Sequence, residues 1–169
     1  MNNRMQITVD ALVLFIQSLP SGSKFGILSF GSDFAWSTGE IMDYTNANIE
    51  TSIQEAKTFD SNFGGTDILS PLVTATTLES GEYKKRIFVL TDGQVSNKDE
   101  IVNYCEMMCA AHDGVKVFTF GIGNGCDADL VRRAAKAGRG SDSIIGDGNS
   151  KELKVKVINA LRKASDPAL

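Results

Sequence analysis

The chain has 169 residues, of which 42% are hydrophobic and 22% are charged, and its formal net charge is −4. This composition excludes a disordered chain, and the length predicts a single domain over residues 1–169. The longest apolar run, residues 11–16, is too short to cross a membrane. The N-terminal residues lack the pattern of a signal peptide. We therefore expect a cytoplasmic or intracellular protein that does not associate with a membrane.

The hydrophobic pattern predicts helices and strands that alternate along the chain. Apolar residues at helical spacing indicate helices, and short continuous apolar runs such as RIFVLT (residues 86–91) indicate buried strands. In chain order we expect a buried helix at 9–19, strands at 24–30 and 34–38, helices at 46–59 and 68–78, a strand at 86–91, a helix from 97 to Gly114, a strand at 115–120, a helix at 127–137, a strand at 143–145 and a helix at 151–164. Asp127 is the expected N-cap of the helix at 127–137.

This order of elements predicts the fold class. Strands that alternate with helices favour an α/β fold, here a three-layer, doubly wound sandwich with a mostly parallel central sheet. The chain opens with a helix, whereas a doubly wound unit usually opens with the strand before it. The start of the chain therefore differs from the usual order of elements in this fold class.

The three cysteines do not indicate a metal or redox site. Cys105, Cys109 and Cys126 cannot all pair within one chain, and their spacing is not the CxxC of zinc and redox sites. Cys105 and Cys109 lie four residues apart, hence on one face of a helix, with His112 nearby. We expect buried thiols there rather than a structural metal site.

Nucleic-acid binding is also not expected. The C-terminal residues, 127–169, are mildly basic, but no aromatic side chains are interleaved with the basic ones. The sequence pI is near 5.0, which argues against a nucleic-acid groove. We interpret the basic residues as solvated faces of helices.

Polar and glycine-rich segments follow the predicted strands. Ligands of open α/β sheets bind outside the carboxyl ends of the strands, where this sequence places hydroxyl and carboxylate oxygens. Thr66 and Asp92 are the candidate ligands of a hard cation such as Mg²⁺ or Mn²⁺, which prefers oxygen. The alternative roles are a helix N-cap for Thr66 and a turn for Asp92.

Enzymatic motifs are not found in the sequence. The GIGNG segment, residues 121–125, lacks the GxGxxG spacing of a dinucleotide site and follows a late strand. The sequence contains neither a GxSxG elbow nor a GxxxxGK[ST] phosphate loop. We therefore expect a non-enzymatic protein and no catalytic residues.

The segments SGSKFGILSFGS, FGGTDILSPL, RIFVLTDGQVSN, FTFGIGNGCDADLV and SDSIIGD follow one another in an order that resembles the von Willebrand factor type A (VWA) domain. They are most similar to the branch found in inter-alpha-trypsin inhibitor heavy chains and vault poly-ADP-ribose polymerase. The resemblance implies a doubly wound sandwich that recognises a protein partner through a metal-ion-dependent adhesion site (MIDAS). Thr66 matches the threonine of that site, and Asp92 matches the aspartate of its TDG turn.

The other cation ligands of the family come from a DxSxS motif after the first strand, and this sequence has no counterpart of that motif. The resemblance therefore implies an N-terminally truncated domain that lacks the first strand and has an incomplete Mg²⁺ site. A sheet without that strand would have exposed edges, through which the protein could self-associate. Our leading hypothesis is a protein-interaction module of the VWA type. The alternatives are a metal-independent scaffold or fragment of a larger protein and, on fold analogy alone, a nucleotide-binding α/β enzyme.

Overall fold

Helices and strands alternate along the residues that the computed structural model describes, which are 3–20, 22, 24–30, 34–36, 41–56, 68–77, 84–91, 95–112, 114–123, 125–146 and 150–165. The helices are α1 (Asn3–Ser18), α2 (Asn46–Ala56), α3 (Leu69–Thr77), α4 (Lys98–Ala111), α5 (Ala128–Ala137) and α6 (Ser150–Ser165). The strands are β1 (Lys24–Phe25), β2 (Leu28–Phe30), β3 (Phe34–Trp36), β4 (Met42–Asp43), β5 (Arg86–Thr91), β6 (Lys116–Ile122) and β7 (Arg139–Ile145).

The main sheet is parallel and has the order β5-β6-β7. β5 pairs with β6 from Arg86 opposite Lys116 to Thr91 opposite Gly121. β6 also pairs with β7, with a register shift between Val117 and Thr119. The N-terminal strands form two separate antiparallel pairs, β1 with β4 and β2 with β3. Helices connect the parallel strands, as a parallel sheet requires.

β6 is the centre of the fold because its side chains alternate between two buried layers. Phe120 and Ile122 pack with α1 and α6 in one hydrophobic cluster, whereas Val117 packs with α3, α4 and α5 in another. The first cluster comprises Ile7, Ala11, Phe15, Phe120, Ile122, Ile145, Leu153, Val157, Ala160 and Leu161. The second comprises Ile68, Leu72, Ile101, Cys105, Cys109, Val117, Leu130 and Ala134.

Aromatic rings join α1 to the sheet. The ring of Phe15 on α1 lies 4.6 Å from that of Phe88 on β5 and 5.2 Å from that of Phe120 on β6, in the second case edge to face. Phe88 and Phe118 stack at 5.1 Å between ring centroids. These distances lie within the range that favours aromatic pairs, so α1 is held over β5 and β6.

The turn between α5 and β7 fits tightly against β6. Arg139 has a φ of 60°, a backbone angle that residues other than glycine rarely adopt. Glycines precede and follow it. A Cβ atom on Gly138 would lie 2.4 Å from the Cβ of Val117, and one on Gly140 would lie 1.9 Å from the carbonyl oxygen of Val117. The absence of side chains at both positions therefore allows β7 to approach β6.

Arg86, the first residue of β5, connects three segments at the amino end of the sheet. Its Nε donates to the carbonyl oxygen of Ala164 at the end of α6, at 2.8 Å. Its Nη1 donates to the carbonyl oxygens of Lys85 and Gly114. Burial lowers the pKa of Arg86. A cation at this position also compensates the partial negative charge at the end of α6.

The structure confirms the predicted fold class, an α/β sandwich with a parallel central sheet. Each predicted helix or strand has a counterpart among the described residues, but the bounds differ, and residues 37–38, 57–59 and 78 of the predicted elements lie outside the described residues. The segment 24–30 is not one strand, because β1 and β2 pair with different partners and are separated by Gly26 and Ile27. β6 extends through Gly121 and Ile122, and β7 has seven residues where three were predicted. Pairing with β6 extends β7 through polar residues.

One prediction about burial needs correction. The apolar run at 86–91 predicts a strand covered on both faces, and helices do contact both faces of β5. However, residues 86–90 are only half-buried, whereas residues 117–122 of β6 are fully buried. The reason is topological, since β5 is at the edge of the described sheet and β6 is at its centre.

The predicted burial of the two cysteines on α4 is confirmed. Cys105 and Cys109 are reduced thiols that are buried, and Cys126 is a reduced thiol that is half-buried. The Sγ of Cys109 donates to the carbonyl oxygen of Gly138. Burial, followed by the charge of Cys109, raises the pKa of Cys105 to about 12. Burial also raises the pKa of Cys109, although the charge of Arg139 opposes this shift.

We expect one thiol per native chain, that of Cys126, to react with a thiol reagent at neutral pH, and Cys105 and Cys109 to react only after unfolding. The unfolded Cys105 loses its proton near its ordinary pKa of about 8.5, whereas the folded residue keeps it. Stability should therefore fall as pH rises above that value. A Cys105→Ala variant should show a shallower fall in urea titrations at increasing pH. Fast labelling of all three native thiols would contradict this account.

Candidate functional site

The carboxyl ends of β5, β6 and β7 lie at one edge of the parallel sheet, here called the carboxyl edge. β5 ends at Thr91 and β6 ends at Ile122. Gly123, which follows β6, has a φ of 84°, and its N–H donates to the carbonyl oxygen of Ile145 at 2.7 Å. This bond holds the loop after β6 against the end of β7. Glycine adopts a positive φ without strain, so Gly123 allows the backbone to turn into the position that makes this bond.

Asp127 begins α5 from this loop and is buried. Its Oδ1 accepts a hydrogen bond from the N–H of Leu130 at 3.0 Å, which makes it the N-cap, as the sequence predicts. The same oxygen lies 3.1 Å from the Nζ of Lys98, the first residue of α4. One carboxylate therefore caps α5 and pairs with the beginning of α4.

Further ion pairs extend this connection between the two helices, and we call the whole set the edge network. The Nζ of Lys98 lies 3.3 Å from Oδ2 of Asp129, and the Nη2 of Arg133 lies 3.0 Å from Oδ1 of Asp99. Arg133 and Arg132 also pair with Asp129, at 3.3 and 3.4 Å. The members of the edge network are Lys98, Asp99, Asp127, Asp129, Arg132 and Arg133.

The pKa values of the charged groups in the edge network shift in the directions that these contacts favour. The hydrogen bond to Asp127 raises the pKa of Lys98, and that to Asp129 adds to the shift. Desolvation raises the pKa of Asp129. Hydrogen bonds from Lys98 and Arg133 lower it by more, so the pKa of Asp129 lies below its ordinary value. Three cations balance three carboxylates. The edge network therefore holds the beginning of α4 against the beginning of α5. Its six side chains have no net charge with which to attract a ligand.

Asp127 allows its two roles to be separated. Asp127→Ala should lower the free energy of unfolding by about 1 to 2 kcal/mol, since it removes the N-cap. Asp127→Asn keeps a good cap and loses only the charge, so its effect should be smaller. Urea unfolding of both variants at two salt concentrations measures this difference. Equal losses for the two variants would show that capping is not the larger contribution.

The predicted cation ligands, Thr66 and Asp92, both lie outside the described residues. Asp92 directly follows β5 in the sequence, and Thr66 precedes α3 by two residues. Among the residues that the structure describes, no group of three or more His, Cys, Asp or Glu side chains could hold a metal ion. The hydroxyl of Thr66 and the carboxylate of Asp92 are oxygen ligands of the kind that Mg²⁺ or Mn²⁺ prefers, but they supply only two of the ligands that such a cation needs.

Sequence reasoning identified Asp127 only as a helix cap and missed the rest of the edge network. A usable signal was present, since Lys98 and Asp129 each lie in the first turn of a helix that follows a parallel strand. Such first turns meet at the same edge of the sheet. Because Lys98 and Asp129 have opposite charges, their positions in these first turns predict an ion pair between them.

The comparisons with known proteins agree over almost the whole chain. A family model described as the von Willebrand factor type A domain matches residues 1–164. A VWA domain-containing protein of Dictyostelium discoideum is 31% identical over 94% of this chain. VWA domain-containing protein 5A of Rattus norvegicus is 30% identical over 98%. The chain spans only 17% and 20% of the lengths of these two relatives.

Solved structures show the same fold at low sequence identity. A von Willebrand factor type A protein from Catenulispora acidiphila superposes with a TM-score of 0.80 at 17% identity, over 96% of this chain and 38% of the other. Proximal thread matrix protein 1 from the mussel byssus, with a zinc-occupied MIDAS motif, gives a TM-score of 0.69 at 16% identity, over 97% and 43%. Within the described part of this chain, no helix has the length and apolar character needed to span a membrane.

Proposed function

Because the chain belongs to the von Willebrand factor type A domain family, we propose that it is a protein-interaction module whose partner binds at the carboxyl edge. The observation that carries this proposal is the family match over residues 1–164, since domains of this family are generally interaction modules. The same match gives no support to a nucleotide-binding enzyme. The location inside the cell stays a prediction from the sequence.

The proposal includes a divalent cation at the carboxyl edge. Thr66 would contribute its hydroxyl and Asp92 its carboxylate to Mg²⁺ or Mn²⁺, and water and an acidic side chain of the partner would complete the shell. The cation supplies a positive charge that an acidic partner residue can recognise. A solved structure of the same fold, proximal thread matrix protein 1, has zinc in its MIDAS motif, and this supports the inclusion of a cation in the proposal.

A metal-independent scaffold is the second candidate. The ion pairs between α4 and α5 favour it, because they hold the two helices together without a cation. In this case Thr66 and Asp92 serve as helix cap and turn residues, and the braced helices α4 and α5 present a fixed surface without a cation. The two candidates differ in one measurable property, the response of stability to divalent cations.

Thermal unfolding in Mg²⁺, in Mn²⁺ and in EDTA tests the cation. A ligand that binds only the folded chain, at a hundred times its Kd, adds about 2.7 kcal/mol of stability. We expect a cation-dependent rise in Tm that Asp92→Ala and Thr66→Ala abolish. Asp142→Ala removes the same charge from exposed β7 and should keep the rise. A wild-type Tm that does not respond to either cation would reject the cation site and leave the scaffold.

A further inference from the structure

The first turn of α4 is held in place from α5 rather than by a cap of its own. Its N-cap residue, Asn97, makes no side-chain hydrogen bond that caps the helix, although helices commonly begin with such a bond. Instead, the Nζ of Lys98 lies 3.1 Å from Oδ1 of Asp127 and 3.3 Å from Oδ2 of Asp129. The edge network therefore fixes the place at which α4 begins.

The partner of Lys98 is itself rigidly held. Asp127 is buried, and its Oδ1 also accepts a hydrogen bond from the N–H of Leu130. Leu130 is buried in the second hydrophobic cluster. The hydroxyl of Thr119 on the central strand β6 donates to the carbonyl oxygen of Val131 on α5, at 2.6 Å. Because α5 is fixed to β6, the contact between Lys98 and Asp127 fixes the beginning of α4 relative to β6.

Asp92, the predicted carboxylate ligand, belongs to the connection between β5 and α4. Thr91, the last residue of β5, is buried and pairs with Gly121 of β6. Val95, near the other end of the connection, packs against the second hydrophobic cluster, and α4 begins at Lys98. Both ends of the connection are therefore fixed relative to β6, one by strand pairing and the other by the edge network.

We propose that Lys98 is a positioning residue for the cation ligand Asp92. This inference rests on the proposed cation site and adds a residue that acts on the site through the backbone of the connection. A ligand group that is held in place before binding loses less conformational freedom on binding, and this raises affinity. The carboxylates of Asp127 and Asp129 balance the charge of Lys98, so the ammonium group does not bring an uncompensated positive charge that would repel Mg²⁺.

Two other roles for Lys98 predict different results. If Lys98 only stabilised the fold, its loss would lower the Tm by the same amount with and without a cation. If its charge acted only by repelling the cation, its loss would strengthen cation binding, because like charges repel. The positioning role alone predicts that the loss of Lys98 weakens cation binding. The sign of the change in affinity therefore distinguishes the three roles.

Titration of the full 169-residue chain with Mg²⁺, with the rise in Tm as the readout of affinity, tests the proposal. Lys98→Met should raise the Kd for Mg²⁺ about tenfold, the lower end of the range for residues that orient metal ligands. Lys98→Arg keeps the charge and can pair with both carboxylates, so it should restore most of the affinity. Lys154→Met removes the same charge from the exposed side of α6 and should leave the Kd unchanged.

The outcomes separate this inference from the proposed function. A wild-type Tm that does not respond to Mg²⁺ would reject the cation site and this inference with it. A wild-type response that Lys98→Met leaves unchanged or strengthens would overturn only the role of Lys98. If Lys98→Met does not fold, hydrogen exchange of the wild-type chain decides. Mg²⁺ should slow exchange of the Ile101 amide, which bonds to the carbonyl oxygen of Asn97 at the beginning of α4, because coupling between two sites is reciprocal. Unchanged exchange at Ile101 would overturn the inference.

Discussion

Gly140→Ala is expected to lower the free energy of unfolding by about 3 to 5 kcal/mol, the range of severe single substitutions. The new Cβ would lie 1.9 Å from the carbonyl oxygen of Val117 and 3.2 Å from the ring of Phe118. The first of these atoms belongs to the backbone of the central strand, so no side-chain rotation relieves the overlap. β7 would have to move away from β6, and hydrogen bonds between the two strands would be lost.

Gly22→Ala is the matched control for this prediction. Gly22 has a φ of 87°, but a Cβ there would meet no atom within 4 Å. Its cost should therefore be only the conformational one, about 1 to 2 kcal/mol. Urea unfolding of both variants gives the comparison. A Gly140→Ala chain as stable as Gly22→Ala would contradict the close contact between Gly140 and the backbone of Val117.

Arg86→Met should be the second large loss, about 2 to 4 kcal/mol, because it leaves carbonyl oxygens near the amino end of the sheet without their charged donor. These oxygens belong to Lys85, Gly114 and Ala164. Methionine retains much of the apolar volume, so the loss reports on the hydrogen bonds. Arg86→Lys should recover only part of the stability, since one ammonium cannot reproduce the fork of a guanidinium.

The control for Arg86 is its exposed neighbour Lys84, for which Lys84→Met should change stability by less than about 0.5 kcal/mol. Amide exchange in the last turn of α6 provides a second readout. It should accelerate in Arg86→Met, because Ala164 loses its donor, and remain unchanged in Lys84→Met. An Arg86→Met chain with normal stability would show that water replaces the guanidinium at no cost.

The elements that could be predicted from sequence are those in which local pattern and tertiary environment agree. The continuous run in β5 and the Asp127 cap of α5 are recognisable without knowledge of their neighbours. The ends of strands were less predictable. Gly121 reads as part of a glycine-rich loop, yet it pairs with Thr91, and a Cβ there would overlap the Sγ of Cys126 at 2.7 Å. A close contact, rather than a turn, explains this glycine.

The candidate site was predictable only in part, for a physical reason. Thr66 and Asp92 came from a resemblance between motifs, and they remain predictions. The edge network depends on distances between residues about thirty positions apart, such as Lys98 and Asp129. Local periodicity contains no information about such pairs. The half-buried state of β5 was likewise unpredictable, because a strand at a sheet edge and a strand at its centre have similar apolar runs.

The alternation of side chains along β6 has a consequence for how this domain can change in evolution. Phe118 and Phe120 face one layer, and Val117 and Thr119 face the other, where the hydroxyl of Thr119 donates to the carbonyl oxygen of Val131. Deleting or inserting one residue within β6 would exchange these two sets and place phenylalanine where α5 requires a small side chain. Length variation among homologous domains should therefore occur in the loops and spare this strand.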